Sequence, residues 1–440
     1  MRFFWCILYI FADMKSSFYN ISIPFRNHFI VFNGLSKRFF LISKENKDSI
    51  LKMIASPDTY QEEFPDFMKL MMSEGFIIED NYDELSMIRD KYENMLNGKS
   101  YKLMILPTYS CNVSCWYCTQ SHRSMSLNAD NVRKIKKHIE YYLEHNDINN
   151  MSLSWFGGEP LLGFSKIKDI AIYAQNLCKS RNISYNNTIT TNGILLSKKI
   201  LETMKELNFN FFQITVDGTK KEHDNVKLLK YSSSYDTIMN NIKQAINILP
   251  HAEICLRYNF TMANLKPDIF LSDLNRQFTK EQRKRISLSL MKVWQQDDKS
   301  MDSSLVNKLA DNAANDGYKV NVGAGWGICY VEKKHFNCIF PNGLVDKCDN
   351  DDPDLCRGEI MENGEIVWRE VPQFNTNTIF HGENECIKCR YLPICYGPCP
   401  HERDRNKKIK CRYTDPVKRK KEEIFAYCEN ILKVNNMSNS

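Results

Sequence analysis

The 440-residue chain has no apolar run near the ~20 residues that a membrane-spanning helix needs. Its N-terminal "MRFFWCILYIF" joins a basic residue to a short apolar stretch, but the stretch is too short to span and no small-residue cleavage site follows. A second methionine, Met14, opens the more ordinary "MKSSFYNIS", so residues 1–13 read as well as a leader upstream of the start as they do as protein. Glycine (17) and proline (14) are scarce, which excludes collagen-like and low-complexity classes. No repeat and no linker of biased composition breaks the chain. Charge of one sign is missing too: 59 Lys and Arg stand against 53 Asp and Glu, and a net charge of +6 over this length does not argue for nucleic acid. What remains is an ordinary globular composition, long enough for about three domains.

Cysteine is the exception, with 16 residues. Their spacings are tight, as in metal sites, rather than spread as disulfide staples are, which places the chain in a reducing cytoplasm with no membrane partner.

Three short apolar runs, "FYNISIP", "HFIVFN" and "RFFLIS", with "NGLS" as a turn, read as strands, and helical periodicity follows from Lys44 to Leu96. Strands leading into helices predict a small winged-helix-like module over residues 14–98. Between Glu45 and Glu93 there are 13 acidic and 5 basic residues, the wrong sign for gripping phosphates. A peptide added to an exposed strand edge fits better. From Tyr101 the pattern alternates: "KLMIL", "MSLSWF", "NNTITT", "FFQITV", "EICLRYNF" and "ISLSLMKVW" are separated by amphipathic stretches. Six such units predict an α/β domain over residues 99–320, a parallel sheet curled into a partial, TIM-like (β/α)6 barrel with its chemistry at the carboxyl ends of the strands. Past Gly323 periodicity fades and nine cysteines fall between Cys329 and Cys411, so residues 321–440 read as a cysteine-rich domain stabilised by metal, closed by a basic amphipathic helix after Pro416.

Just after the first strand of the alternating region stands "SCNVSCWYC", a C-x-x-x-C-x-x-C run at Cys111, Cys115 and Cys118. Three thiolates hold three irons of a 4Fe-4S cube and leave the fourth open. A zinc site completed by His122 is the alternative. The run resembles that of the radical S-adenosylmethionine enzymes, in which the open iron takes the amino and carboxylate groups of S-adenosylmethionine. The resemblance implies that Cys111, Cys115 and Cys118 hold the cluster and that Tyr117 touches the adenine. It further implies that "FGGEP", with Gly157, Gly158 and Glu159, meets the methionyl amino group. "TTNG" (Thr190, Thr191, Asn192) and "TVDG" (Thr215, Asp217) match further cofactor contacts. The family often continues with His-Asp-x-x-Arg, whose arginine reaches the cofactor carboxylate; this chain reads "HDNVK", with Lys227 there, and Arg257 in "LRYNF" is the other cation for that task.

The second cysteine set, "CIKCRYLPICYGPC", with "NGLVDKC" upstream, resembles the SPASM extension, which carries two auxiliary 4Fe-4S clusters. By that pattern Cys329, Cys338, Cys348 and Cys399 hold one, and Cys386, Cys389, Cys395 and Cys411 the other. Cys6, Cys178, Cys255, Cys356 and Cys428 remain as buried thiols, with Cys356 and Cys428 as substitutes for Cys338 or Cys411. "GLVDKCD" resembles anaerobic sulfatase maturases, which implies Asp349 as a general base at the barrel mouth. Together these imply an oxidoreductase that removes hydrogen from a residue of a ribosomally made peptide or protein through a 5'-deoxyadenosyl radical, leaving a thioether, a crosslink or an oxidised side chain. Its partners would be a leader-bearing substrate and a flavodoxin- or ferredoxin-type electron donor, without nucleic acid. The alternatives are formylglycine formation on a sulfatase and a non-catalytic zinc protein that would contact nucleic acid through "KEQRKR" or "VKRKK".

Overall fold

A computed structural model describes residues 13–120, 122–228, 232–293, 295, 303–320, 326–350, 352–372, 378–382, 384–406, 409, 411 and 415–438. The N-terminal apolar run with Cys6, and Trp294 at the end of the sixth apolar run, lie outside the described residues. Along the chain come β1 (Met14–Ser16), β2 (Asn20–Phe25), β3 (His28–Asn33), β4 (Phe39–Ser43), α1 (Lys47–Ala55), α2 (Pro57–Tyr60), α3 (Pro65–Ser73), β5 (Ile77–Glu79) and α4 (Glu84–Leu96). The alternating region follows as β6 (Ser100–Ile105), α5 (Ala129–His145), β7 (Asn150–Trp155), α6 (Phe164–Ser180), β8 (Ser184–Thr191), α7 (Lys198–Glu206) and β9 (Phe209–Val216). It continues with α8 (Lys220–Val226), α9 (Ser234–Ile248), β10 (Glu253–Phe260), α10 (Pro267–Gln277), α11 (Lys280–Arg283), β11 (Ile286–Lys292), α12 (Ser303–Asn315) and β12 (Lys319–Val320). Last are β13 (Phe336–Ile339), β14 (Leu344–Asp346), β15 (Gly358–Ile360), β16 (Ile366–Trp368), α13 (Leu392–Cys395), α14 (Pro400–Asn406) and α15 (Pro416–Ser438). Among the described residues no helix is long and apolar enough to cross a membrane.

The chain divides into two compact units. One comprises Met1–Leu96, Gly323–Cys329 and Phe374–Ser440, and the other Asn97–Val322 and Tyr330–Gln373. Residues 321–440 are therefore distributed over both.

In the first unit β2, β3 and β4 form an antiparallel sheet, and β1 pairs with β5. Strand alternation sends successive side chains to opposite faces. Ile30 and Phe32 of β3 thus pack with Ile21, Ile23, Tyr391, Ile394, Ile424 and Cys428, while Val31 packs with Ile42, Ile54, Met68, Met71 and Phe76. The turn after β3 is closed by Asn33, whose Oδ1 accepts from the amides of Leu35 (2.9 Å) and Ser36 (2.8 Å).

The second unit holds one eleven-stranded sheet in the order β12-β11-β10-β9-β8-β7-β6-β13-β14-β15-β16. All six expected strands are present as β6 to β11, each paired in parallel with its sequence neighbour. One face is apolar: Leu103, Ile105, Leu153, Trp155, Ile189, Ile214, Leu256, Tyr258 and Leu288 join the core with Ile135, Ile139, Ile167, Ile170 and Ile242 of the helices. The intervening residues, among them Ser152, Ser154, Thr188, Thr190, Gln213, Thr215, Arg257, Asn259 and Ser289, are polar. The helices cover the apolar face of this sheet. Beyond Gly323 the structure departs from the expected loss of regular elements. β13 adds to β6 in parallel, with Phe336 opposite Lys102, and β14 to β16 continue antiparallel.

Candidate functional site

At the carboxyl ends of β6 to β11, on the polar face, a cavity is lined by Cys111, Cys115, Tyr117, Cys118, Gly157, Gly158, Thr190, Thr191, Asn192, Thr215, Lys227, Arg257 and Asn259. Eleven residues named from sequence motifs, together with Arg257, thus reach one place.

The cysteine loop follows β6 and is bound by backbone to the turn after β7. Gly158 N donates to Thr108 O at 3.0 Å and Glu159 N to Ser110 O at 2.9 Å. The glycines serve this contact: a Cβ on Gly158 would lie 2.3 Å from Ser110 O and 2.4 Å from Tyr109 O, and one on Gly157 2.5 Å from Thr108 O. Gly157 also takes a φ of +121°, which side chains disfavour. The absence of side chains at Gly157 and Gly158 thus admits the cysteine loop, and both glycines also line the cavity.

Glu159 is fully buried and does not line the cavity. Its Oε1 accepts from Leu161 N (3.0 Å) and Thr191 Oγ1 (2.8 Å), and its Oε2 from Asn192 N (2.8 Å). It ties the tips of β7 and β8 together. Burial pushes its carboxyl up to about 7, against the pull of those donors. Asn192, held in this way, donates from Nδ2 to Asn112 Oδ1 at 2.7 Å inside the cysteine loop.

Lys227 lines the cavity and is at the same time paired with an internal carboxylate. Its ammonium donates to Asp217 Oδ2, and both side chains are buried, 2% and 1% exposed. Asp217 Oδ1 accepts from Tyr117 OH, which in turn accepts from Asn259 Nδ2 at 3.0 Å. Burial works to raise the Asp217 carboxyl, but the Lys227 ammonium and the Tyr117 hydroxyl outweigh it and hold it below the usual range. His223 is buried, held neutral by desolvation with its pKa lowered to about 3, and accepts at Nδ1 from Asp217 N at 3.2 Å. Asp217 is thus a hub beneath the cavity, and Tyr117 is anchored through its hydroxyl.

Burial raises all three loop thiols, Cys115 to about 11, where Lys227 opposes and Asp217 adds to the effect. Cys118 Sγ lies 3.1 Å from His122 Nε2. Among the described residues no three His, Cys, Asp or Glu side chains converge on a point as a single metal ion requires. A four-iron cube takes one thiolate per iron and lets the sulfurs stand apart.

The remaining cysteines fall into groups. In the first unit Cys386, Cys389, Cys395 and Cys411 stand close: burial and then the other three push Cys386 up to about 11. Cys428 instead packs in the apolar cluster around Ile424. Cys329 and Cys399 also belong to the first unit. In the second unit burial raises the Cys338 thiol well above its usual value, and Asp349, Cys356 and Cys348 add to it. Cys356 is therefore grouped with Cys338 and Cys348, a neighbour no spacing motif announces. Asp349 does not line the cysteine cavity; its Oδ1 accepts from Tyr330 OH at 2.5 Å. Cys178 lies in the main core and Cys255 is buried on β10. Sequence reading missed Asn259 and Asn112. The first carries a signal in its spacing two residues from Arg257, hence on the same strand face.

Residues 105–267 match the family model described as Radical SAM superfamily. The radical SAM cyclopropyl synthase TigE of Paramaledivibacter caminithermalis is 24% identical over 233 residues, 48% of this chain and 47% of the relative. The cysteine-type anaerobic sulfatase-maturating enzyme of Clostridium novyi is 31% identical over 158 residues, 33% of this chain and 40% of the relative. The chain thus spans less than half the length of these curated relatives. The solved structure of native anSMEcpe with bound AdoMet and Cp18Cys peptide is similar in fold, with a TM-score of 0.56 at 17% identity, covering 77% of this chain and 99% of that one.

Proposed function

We propose, for a chain whose residues 105–267 match the Radical SAM superfamily model, that it modifies a ribosomally made peptide or protein by removing a hydrogen atom from one of its residues. The observation that carries this reading is the convergence of Cys111, Cys115, Cys118, Thr191, Asn192, Thr215 and Tyr117 on one cavity at the carboxyl ends of a parallel sheet.

The residues present fit the groups this reading needs. Three soft thiols come from one short loop and face one cavity, a donor set suited to iron and sulfide. Burial raises their pKa values as free thiols, so a cationic centre that stabilises the thiolates matches what the site lacks. An iron-sulfur cluster held by Cys111, Cys115 and Cys118 would supply the electron that cleaves S-adenosylmethionine to a 5'-deoxyadenosyl radical. The chain's own share is positioning. Tyr117, held by Asp217 and Asn259, gives a fixed aromatic wall for an adenine. Thr190, Thr215 and Asn192 offer polar atoms to the rest of the cofactor, and Glu159 fixes Asn192 and Thr191 from behind. A walled cavity also keeps water from a reactive radical.

Two auxiliary clusters complete the reading. The grouping of Cys386, Cys389, Cys395 and Cys411 favours one of them, with Cys411 rather than Cys428 as its fourth ligand. In the second unit Cys338 and Cys348 stand with Cys356, and the reading gives this group to the other. Residues 14–98 act as the winged-helix-like peptide-recognition module. There β4 is an edge of its three-stranded sheet, with Leu41 40% exposed, and an edge strand accepts a peptide strand. A second reading, formylglycine formation on a sulfatase, is favoured by the likeness to the Clostridium novyi enzyme. Metal analysis of protein purified without oxygen tests the proposal: iron with equimolar acid-labile sulfide is expected, and stoichiometric zinc without sulfide refutes it.

A further inference from the structure

We propose that His122 is a positioning residue of the cysteine loop, donating from Nε2 to the Cys118 sulfur and raising the reduction potential of a cluster held there; the inference rests on the radical enzyme reading. The side-chain contacts on the loop sulfurs are unequal. Asn192 Nδ2 stands 3.9 Å from Cys111 Sγ, whereas His122 Nε2 stands 3.1 Å from Cys118 Sγ, the shortest side-chain contact on any of the three among the described residues. Both His122 and Cys118 line the cavity. His122 takes a φ of +47°, in the left-handed region that histidine enters more readily than most side chains. That turn carries the imidazole back to a cysteine four residues earlier.

The distance separates this role from that of a metal ligand. With Zn–S near ~2.3 Å and Zn–N near ~2.0 Å, a cysteine sulfur and a histidine nitrogen on one tetrahedral zinc stand about 3.5 Å apart. Ligands on two different irons of a cube stand farther apart still. At 3.1 Å the ring lies against the sulfur itself. A free Cys118 thiol can give its own hydrogen to the ring. A cluster ligand is a thiolate with none to give, so in the loaded protein the contact holds only with the hydrogen on Nε2. Such a donor draws negative charge off the sulfur and stabilises the reduced cluster more than the oxidised one. The step it eases is the entry of one electron from the donor protein; no bond forms or breaks at His122.

A redox titration of the anaerobically reconstituted protein, followed by electron paramagnetic resonance, reads this role. The component to follow is the one missing from the Cys111→Ala, Cys115→Ala, Cys118→Ala triple variant. His122→Asn keeps a residue that tolerates the left-handed backbone and is too short to reach the sulfur, while His122→Gln returns an amide N–H close to the Nε2 position. At equal iron and sulfide the midpoint shifts to lower potential in His122→Asn and recovers toward wild type in His122→Gln. Wild type grown with isotopically labelled histidine nitrogen needs no variant and decides the matter if His122→Asn loads less iron. Its reduced signal shows a weak histidine nitrogen coupling, as a hydrogen bond gives. A midpoint unchanged or raised in His122→Asn, a downward shift as large in His122→Gln, or a histidine coupling that is absent or of ligand strength overturns the inference. Absence of the component from reduced wild type overturns the enzymatic reading and this one with it.

Discussion

Replacing Lys227 by methionine isolates the buried pair at the centre of the site. Methionine keeps the volume and removes the charge, leaving Asp217, 1% exposed, without its main counter-charge. Tyr117 OH and the Asp217 amide contact with His223 remain, so the carboxylate keeps one donor but loses its cation. Breaking one side of a buried pair costs about 3–5 kcal/mol, against about 0–1 kcal/mol for an exposed pair. The penalty is expected to shrink toward acid pH, because an Asp217 carboxyl freed from Lys227 is governed by its burial and takes up a proton more readily. In the double variant Asp217→Asn, Lys227→Met no charge is buried, and the amide still accepts from Tyr117. Its stability should return to within about 1–2 kcal/mol of wild type. Urea unfolding of the four proteins of this cycle gives the coupling directly. A Lys227→Met cost below about 1 kcal/mol, or a double variant no better than the single, refutes the account of Lys227 as an internal counter-charge.

Three further outcomes are expected. His138 is fully buried between Tyr101 OH (2.7 Å) and Gly364 O (2.8 Å), and desolvation lowers its pKa to about 4. The unfolded chain therefore binds the proton first, so this stability is present above pH 6.5 and is lost as pH falls toward 4, about 3 kcal/mol in all. Melting temperature should fall over that window and fall less in His138→Gln. Gly158→Ala forces a Cβ onto the carbonyls of Tyr109 and Ser110 and should displace the cysteine loop. Iron content should drop while the far-ultraviolet circular dichroism stays, and full iron loading would count against the packing argument. Asp349→Ala should abolish product while sparing deoxyadenosine formation; unchanged product removes Asp349 from the mechanism.

The parallel strands were legible because each carries its own alternation. "EICLRYNF" is β10 to the residue, and "NNTITT" lies inside β8 with two residues missed at its start. The site followed, since a motif placed after a strand is placed at that strand's end. β13 to β16 left no such trace, being three or four residues long. β13 is fixed by pairing with β6, more than 200 residues away, and nothing local in "FNCI" encodes it. Side-chain direction was the other loss. "HDNVK" gives the position of Lys227, but whether its ammonium reaches a ligand or Asp217 depends on a carboxylate ten residues earlier, turned inward at the end of β9. Glu159 likewise reads as a ligand by motif and acts as a strut, because its three donors come from two turns that only the fold brings together.

The central claim is that one loop of three cysteines arms this chain to cleave S-adenosylmethionine. Reduced, anaerobically reconstituted protein should release 5'-deoxyadenosine and methionine in equal amounts, and Cys115→Ala should release neither. Fully loaded wild type that yields no deoxyadenosine under reduction, or a Cys115→Ala variant that yields as much as wild type, contradicts it.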